Sequence, residues 1–246
     1  MPCGACLGGQ DGESGSQSSF LACKSRVWAK DKIIVNVGCN KGHDSIAWLE
    51  RFDQSGFWNL AKWTKQVEKY GRPVCCSVFF TYLYMHSVGP GHLNPKIPKP
   101  PKFDSAKGPR AVCIEGLIST SNALNASRSE LGFDVPPGSA GILHIVNAAV
   151  SDEASPGQTV QFLDVMPGSE MGVMVDSREK RPTVSVPLAT VDGIVAELQL
   201  PRVDILLVDT EGADPLVLKG ANKSLESVRY IMFETHRDKT LPSKKT

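Results

Sequence analysis

The chain carries almost no net charge, no apolar run long enough to cross a bilayer, and no spacing of His, Cys, Asp and Glu that would hold a metal. A formal charge of +1 gives no electrostatic reason to expect nucleic acid or a membrane surface as a partner. One basic cluster, Lys96, Lys99, Lys102, Lys107 and Arg110, lies among prolines, where a solvated loop is a simpler account than a nucleic-acid contact. The longest apolar run, Val74 to Met85, is shorter than the ~20 residues of a membrane-spanning helix. Met1 to Phe20 lacks the apolar stretch of a signal peptide; rich in Gly, Ser and Gln, it is expected to be a disordered tail. The seven cysteines are odd in number and scattered, unlike the framework of a small secreted domain. They are expected to be reduced thiols in a cytoplasmic setting. Cys3 and Cys6 form a CxxC, but two thiols are too few for structural zinc, and no βαβ unit surrounds them.

What the chain has is an ordinary globular composition, 41% apolar and 22% charged, and enough length to bury a full core. Its organising stretch runs from Ile33 to His43. Ile33-Ile34-Val35-Asn36-Val37 is a β-branched run for one buried strand, broken at Gly38; Gly42 follows, and an amphipathic helix is expected from Asp44 to about Phe52. Strand, glycine turn and helix in that order open a doubly wound α/β sheet, whose ligands sit at the C-terminal edge of the strands. Further strands are expected at Ala111 to Glu115, Ile142 to Val150, Val203 to Asp209 and Arg229 to Glu234, with helices between them. Val160 to Val165 and Gly172 to Val175 read as a hairpin or two edge strands, and Val184 to Leu188 leads into a helix at Thr190. Residues 1–20 are expected as tail and 21–246 as one domain, with Phe20 to Trp28 covering a sheet edge. Residues 53–110 interrupt the pattern as an insertion containing a helix around Trp58 to Tyr70, a strand-like run from Val78 to Leu83 and a Pro-rich stretch from His86 to Pro109. Such an insertion shapes a substrate pocket or decorates the surface.

The turn narrows the chemistry. A dinucleotide fingerprint needs GxGxxG, but Asn40 takes the middle glycine position, leaving Gly38-x-x-x-Gly42. No Gly-Lys-Ser/Thr follows at P-loop spacing. An adenosine ligand with an amino-acid end and no phosphates fits better, although a plain tight connection between strand and helix would give the same pattern. Glu115, ending the second strand, is placed to accept from both ribose hydroxyls of a nucleoside, or else is a solvated strand end. Asp152 follows the third strand, where it could meet an adenine amino group or simply form a turn. Asp209 and Glu211 share one corner, and two acids there are costly unless solvated, paired or used. Asp209 would lie nearest a transferred methyl group, and Glu211 could orient a substrate hydroxyl or cap the next helix, for which Asp214 is the natural cap before Pro215. His236 and His43 are candidate general bases, each with a surface position as the alternative.

Val35-Asn36-Val37-Gly38-Cys39-Asn40-Lys41-Gly42, Asn147-Ala148-Ala149-Val150-Ser151-Asp152, and the block Val203 to Ala221 with Asp209-Thr210-Glu211-Gly212-Ala213-Asp214 together resemble the motifs of the FkbM family of S-adenosylmethionine-dependent methyltransferases. The resemblance covers about residues 30–52 and 111–236. It implies a Rossmann-like class I methyltransferase fold and methyl transfer to a hydroxyl oxygen of a sugar or other small molecule. It further implies that Gly38, Asn40 and Gly42 hold the methionine end of the donor, Glu115 the ribose and Asp152 the adenine, with Asp209 and Glu211 facing methyl group and substrate. Asn36 stands where the family usually has aspartate, which removes a charge near the donor's ammonium. A charge-assisted contact contributes roughly 1.5–3 kcal/mol, so weaker binding is expected. The family fold has two more strands after the fifth, which this chain is expected to lack; the fifth strand would then be an exposed edge for a partner or another segment to cover.

The expectation is therefore an S-adenosylmethionine-dependent O-methyltransferase acting by direct displacement, with His236 or Asp209 removing the hydroxyl proton. Its rival is a catalytically impaired methyltransferase fold acting as a binding module, and a nicotinamide dehydrogenase is a distant third.

Overall fold

The structure is a computed structural model that describes residues 32–53, 55–70, 108–136, 140–167, 174–175 and 179–233. Glu234, His236, the tail, the segment Phe20 to Trp28, the run Val78 to Leu83 and most of the Pro-rich stretch lie outside the described residues.

Five parallel strands form the main sheet: β1 (Ile33–Val37), β2 (Arg110–Glu115), β3 (Ile142–Asn147), β8 (Ile205–Val208) and β9 (Tyr230–Phe233). Their order is β3-β2-β1-β8-β9, with β1 central, so the chain reverses direction across the sheet between β1 and β8. That reversal is the topological switch point where α/β ligands bind. Side-chain alternation divides the core into two layers. Ile34, Ala111, Cys113, Ile205 and Leu207 face helices α1 (His43–Phe52), α2 (Leu60–Val67) and α3 (Ile118–Glu130). Ile33, Val35, Val37, Val112, Ile114, Leu206 and Val208 face α4 (Val191–Glu197) and α5 (Asp214–Lys219).

A second sheet, ordered β4-β7-β5-β6, joins β4 (Ala149–Val150), β5 (Thr159–Leu163), β6 (Met174–Val175) and β7 (Thr183–Ala189). The expected single strand from Ile142 to Val150 is thus divided at Ala148. Its first part pairs with β2, while Ala149 and Val150 turn away to pair with Leu188 and Ala189 of β7. Both halves are apolar, so composition could not reveal the change of partner. The antiparallel pair β5 and β7 then brings Phe162 against Gly116: a Cβ there would lie 2.9 Å from the ring, so a larger residue would push the ring aside.

The described part of the 53–110 stretch builds core. Trp58 and Trp63 are fully buried with Val67, and Asn59 caps α2 by accepting from the Lys62 N–H at 2.8 Å. Each indole finds a carbonyl, Trp58 that of Ala140 (2.6 Å) and Trp63 that of Lys41 (2.7 Å), as buried N–H groups must. At the opposite, N-terminal end of the sheet, Asp204 is buried beneath Lys32 and Arg202 and accepts from the Ile33 N–H at 3.0 Å. Among the described residues, β3 and β9 are the sheet's outer strands, and on β9 Ile231 and Phe233 are exposed.

Candidate active site

Gly38 and Gly42 both have positive φ, 75° and 70°, and so does Asn40 between them at 43°. The turn folds back over β2: the N–H groups of Gly38 and Cys39 both reach the Ile114 carbonyl, at 3.0 and 3.2 Å. Gly38 is glycine for two reasons. Its φ disfavours a side chain, and a Cβ would come within 1.7 Å of the Asp209 carbonyl oxygen on the neighbouring strand end. Gly42 is enclosed by Trp63 and Leu124, with a Cβ 3.1 Å from the indole, and starts α1 without a side-chain cap. The first N–H groups of that ten-residue helix leave the turn with a partial positive charge.

Glu115 completes this arrangement. Its carboxylate, 8% exposed at the end of β2, accepts from the Asn40 N–H (Oε2, 2.9 Å) and from the Leu117 N–H (Oε1, 2.9 Å). A carboxylate offers about four acceptor positions, so these backbone bonds do not exhaust it. Burial pushes its pKa up to about 7, against the pull of the backbone N–H groups of Leu117, Asn40 and Gly116. Asn147 fixes the segment from the other side, its Nδ2 donating to the carbonyls of Glu115 and Gly116, both at 2.9 Å.

The other expected site residues fall in three groups. Asp209 and Glu211 lie exposed at the end of β8. The Asp209 N–H is bonded to the Val37 carbonyl at 3.0 Å, and Glu211 holds a left-handed φ of 53° beside Gly212. The turn and the Asp209 backbone are therefore adjacent, as the sheet order requires. Asn36 is buried in β1 and its amide donates to Ser45 Oγ on α1 at 3.3 Å, which ties the helix to the strand. Asp152 is half-buried beside Gly220, accepting from the Ser151 hydroxyl at 3.0 Å; nothing bonds it to the Glu115 segment.

Three expectations change. His43 is buried, and burial with the Lys41 charge lowers its pKa to about 4, so it is a poor base near neutral pH. Asp214 does not cap α5: it occupies the first helical position and accepts from Thr210 Oγ1 (2.9 Å) and the Gly212 N–H (3.4 Å), closing the acidic corner on itself. Cys39 and Cys113 are not separate thiols but a disulfide, Cα to Cα 5.4 Å, because the turn folds Cys39 back over β2.

The contacts that Trp63 and Asn147 make at the site, and the pairing of Cys39, are not among the sequence expectations. Asn147 was the readable one, a polar residue ending an apolar run. The other two depend on contacts distant in the chain. Among the described residues no group of three or more His, Cys, Asp or Glu could hold a metal, and no helix is long and apolar enough to cross a membrane.

Comparison with protein families matches the methyltransferase FkbM domain over residues 98–243, more than half of the chain. The chain belongs to the FkbM methyltransferase family. The match spans β2 through β9, so within this FkbM domain protein Glu115, Asn147 and the 209–214 corner fall inside the matched region and the glycine turn precedes it. No curated protein and no solved structure matches the chain. The Rossmann-like architecture and methyltransferase character thus rest on the family match and the parallel sheet together.

Proposed function

We propose that the crevice between the glycine turn, Glu115 and the end of β8 binds S-adenosylmethionine, and that the protein transfers a methyl group to a hydroxyl oxygen of a small molecule. The observation that carries this reading is the contact of the Asn40 N–H with Glu115. A buried carboxylate faces a glycine turn at the switch point of the sheet. The Oδ1 atom of Asn40, buried and without a hydrogen-bond partner among the described residues, is a further polar group for a ligand to satisfy.

When bound, the donor supplies an electrophilic methyl group on a sulfonium. The chain's residues do the rest. Glu115 would accept from the ribose hydroxyls, and the turn at Gly38, Asn40 and Gly42, with the start of α1, would hold the amino-acid end. Asp152 remains the candidate for the adenine. Asp209 and Glu211, exposed at the mouth, would receive the acceptor, with Asp209 or His236 taking its proton. Aligning oxygen, carbon and sulfur supplies most of the acceleration in such a displacement.

The test is transfer of isotope-labelled methyl groups from S-adenosylmethionine to matched small alcohols, amines and thiols. Label appearing on oxygen, and falling by about tenfold or more for Asp209→Asn, supports the reading. Label on nitrogen or sulfur alone, or a bound donor with no transfer to any acceptor, overturns the O-methyltransferase assignment.

A further inference from the structure

The disulfide lies in an unusual place for a structural staple. Cys39 lies within the glycine turn, between Gly38 and Asn40, both in the left-handed region. Cys113 lies in β2, two residues before Glu115. The bond therefore joins the two halves of the cradle, the turn that offers the Asn40 N–H and the strand that offers the carboxylate receiving it. Both residues are buried, Cys39 6% and Cys113 1% exposed, in the core layer that includes Trp63 and Leu124. Two thiols cannot occupy the space of one disulfide, because the sulfurs must part to van der Waals contact. In a close-packed core that separation is transmitted to the least constrained neighbour. β2 is held on both sides by β1 and β3, whereas the turn is a connection. The turn is therefore the part expected to yield.

We propose that Cys39–Cys113 is a reversible thiol–disulfide site whose state sets how firmly the glycine turn is held, and thereby the affinity of the crevice for its nucleoside ligand. The co-reactant class is a small dithiol. Its thiolate attacks one sulfur, Cys39 being the more accessible, the S–S bond breaks, and a mixed disulfide forms. The second thiol of the reagent then displaces the cysteine. The protein gains two electrons and two protons as two thiols, and the reagent leaves as a cyclic disulfide. The effect on affinity rests on the donor-site reading above; the effect on the turn does not.

The experiment uses the full chain equilibrated in reduced and oxidised dithiothreitol. Peptide mapping after acid quench and alkylation separates Cys39 and Cys113 from the other five cysteines. Amide hydrogen exchange of residues 38–43 is measured without ligand in both states, and S-adenosylhomocysteine affinity is then measured in each. Reduction is expected to speed exchange at 38–43 and to weaken S-adenosylhomocysteine by about 5- to 20-fold. By linkage, bound S-adenosylhomocysteine must shift the reduction midpoint ratio by the same factor. Cys39→Ser should show the reduced-state exchange under both conditions, which assigns the response to this pair. Failure of the pair to form on oxidation, or equal exchange in the two states, overturns the proposal. Equal affinity despite altered exchange overturns its second half. If exchange responds but S-adenosylhomocysteine binds neither state, the donor-site reading fails and redox control of the turn stands.

Discussion

Gly38 and the carbonyl of Asp209 are in such close approach that no other residue fits: a Cβ on Gly38 would stand 1.7 Å from that oxygen. The contact makes the turn and the acidic corner one unit, because displacing either moves the other. Gly38→Ala should lower stability by about 3 kcal/mol or more, combining a positive-φ penalty with backbone overlap. Gly212, with φ of 107° but nothing within 4 Å of its Cβ position, provides the contrast. Gly212→Ala should cost less, about 1–2 kcal/mol, from its backbone conformation alone. Denaturant unfolding of the two variants checks the difference.

Stability should depend on pH through two buried groups acting in opposite directions. Glu115 has its pKa raised to about 7 in the folded chain, so its contribution is fully present below the ordinary value of 4.5 and is lost as pH rises through 7. The loss amounts to about 3 kcal/mol. His43 has its pKa lowered to about 4, so its contribution is present above 6.5 and is lost as pH falls through 4, again by about 3 kcal/mol. Unfolding free energies across pH 4–8 should show the alkaline limb flattened in Glu115→Gln and retained in a His43 variant.

Trp63 holds the turn from beneath through the Lys41 carbonyl. Trp63→Phe keeps an aromatic ring in the core but removes the indole donor to the Lys41 carbonyl. A loss of about 1–2 kcal/mol in stability is expected, together with weaker S-adenosylhomocysteine binding. Calorimetry and thermal unfolding of the same variant separate the two effects.

Asp204 offers the opposite case, a buried carboxylate at the end of the sheet away from the crevice. Lys32 and Arg202 are both buried against it. Asp204→Asn removes the buried charge that Lys32 and Arg202 both meet and should cost about 3–5 kcal/mol. Ligand affinity measured well below the melting point should be unchanged, which would show that stability alone does not govern the crevice.

The parallel sheet was legible because its strands are near-continuous β-branched or apolar runs bounded by glycine and acidic residues. The Ile33 to His43 stretch, Glu115 at its strand end, and the adjacency of Asp209 all follow from that pattern. What escaped depended on pairings between distant residues. Ile142 to Val150 reads as one strand because the β7 residues that capture Ala149 and Val150 lie nearly forty positions downstream. Trp58 and Trp63 sit in a stretch that breaks the α/β rhythm, yet both are buried in the core, Trp63 against Gly42 of the turn. Cys39 and Cys113 are 74 residues apart, and only the fold-back of the turn onto β2 brings them together. His43 looked available because sequence cannot show that the helix start is buried.

If the Glu115 carboxylate anchors a nucleoside donor, titration calorimetry with S-adenosylhomocysteine at pH 8 shows it most directly. The wild-type chain is expected to bind at one site with micromolar affinity, weakening as pH falls below 7, and Glu115→Gln should lose about tenfold or more. No binding to the folded wild-type chain at high micromolar ligand, or equal affinity in Glu115→Gln, would contradict the account.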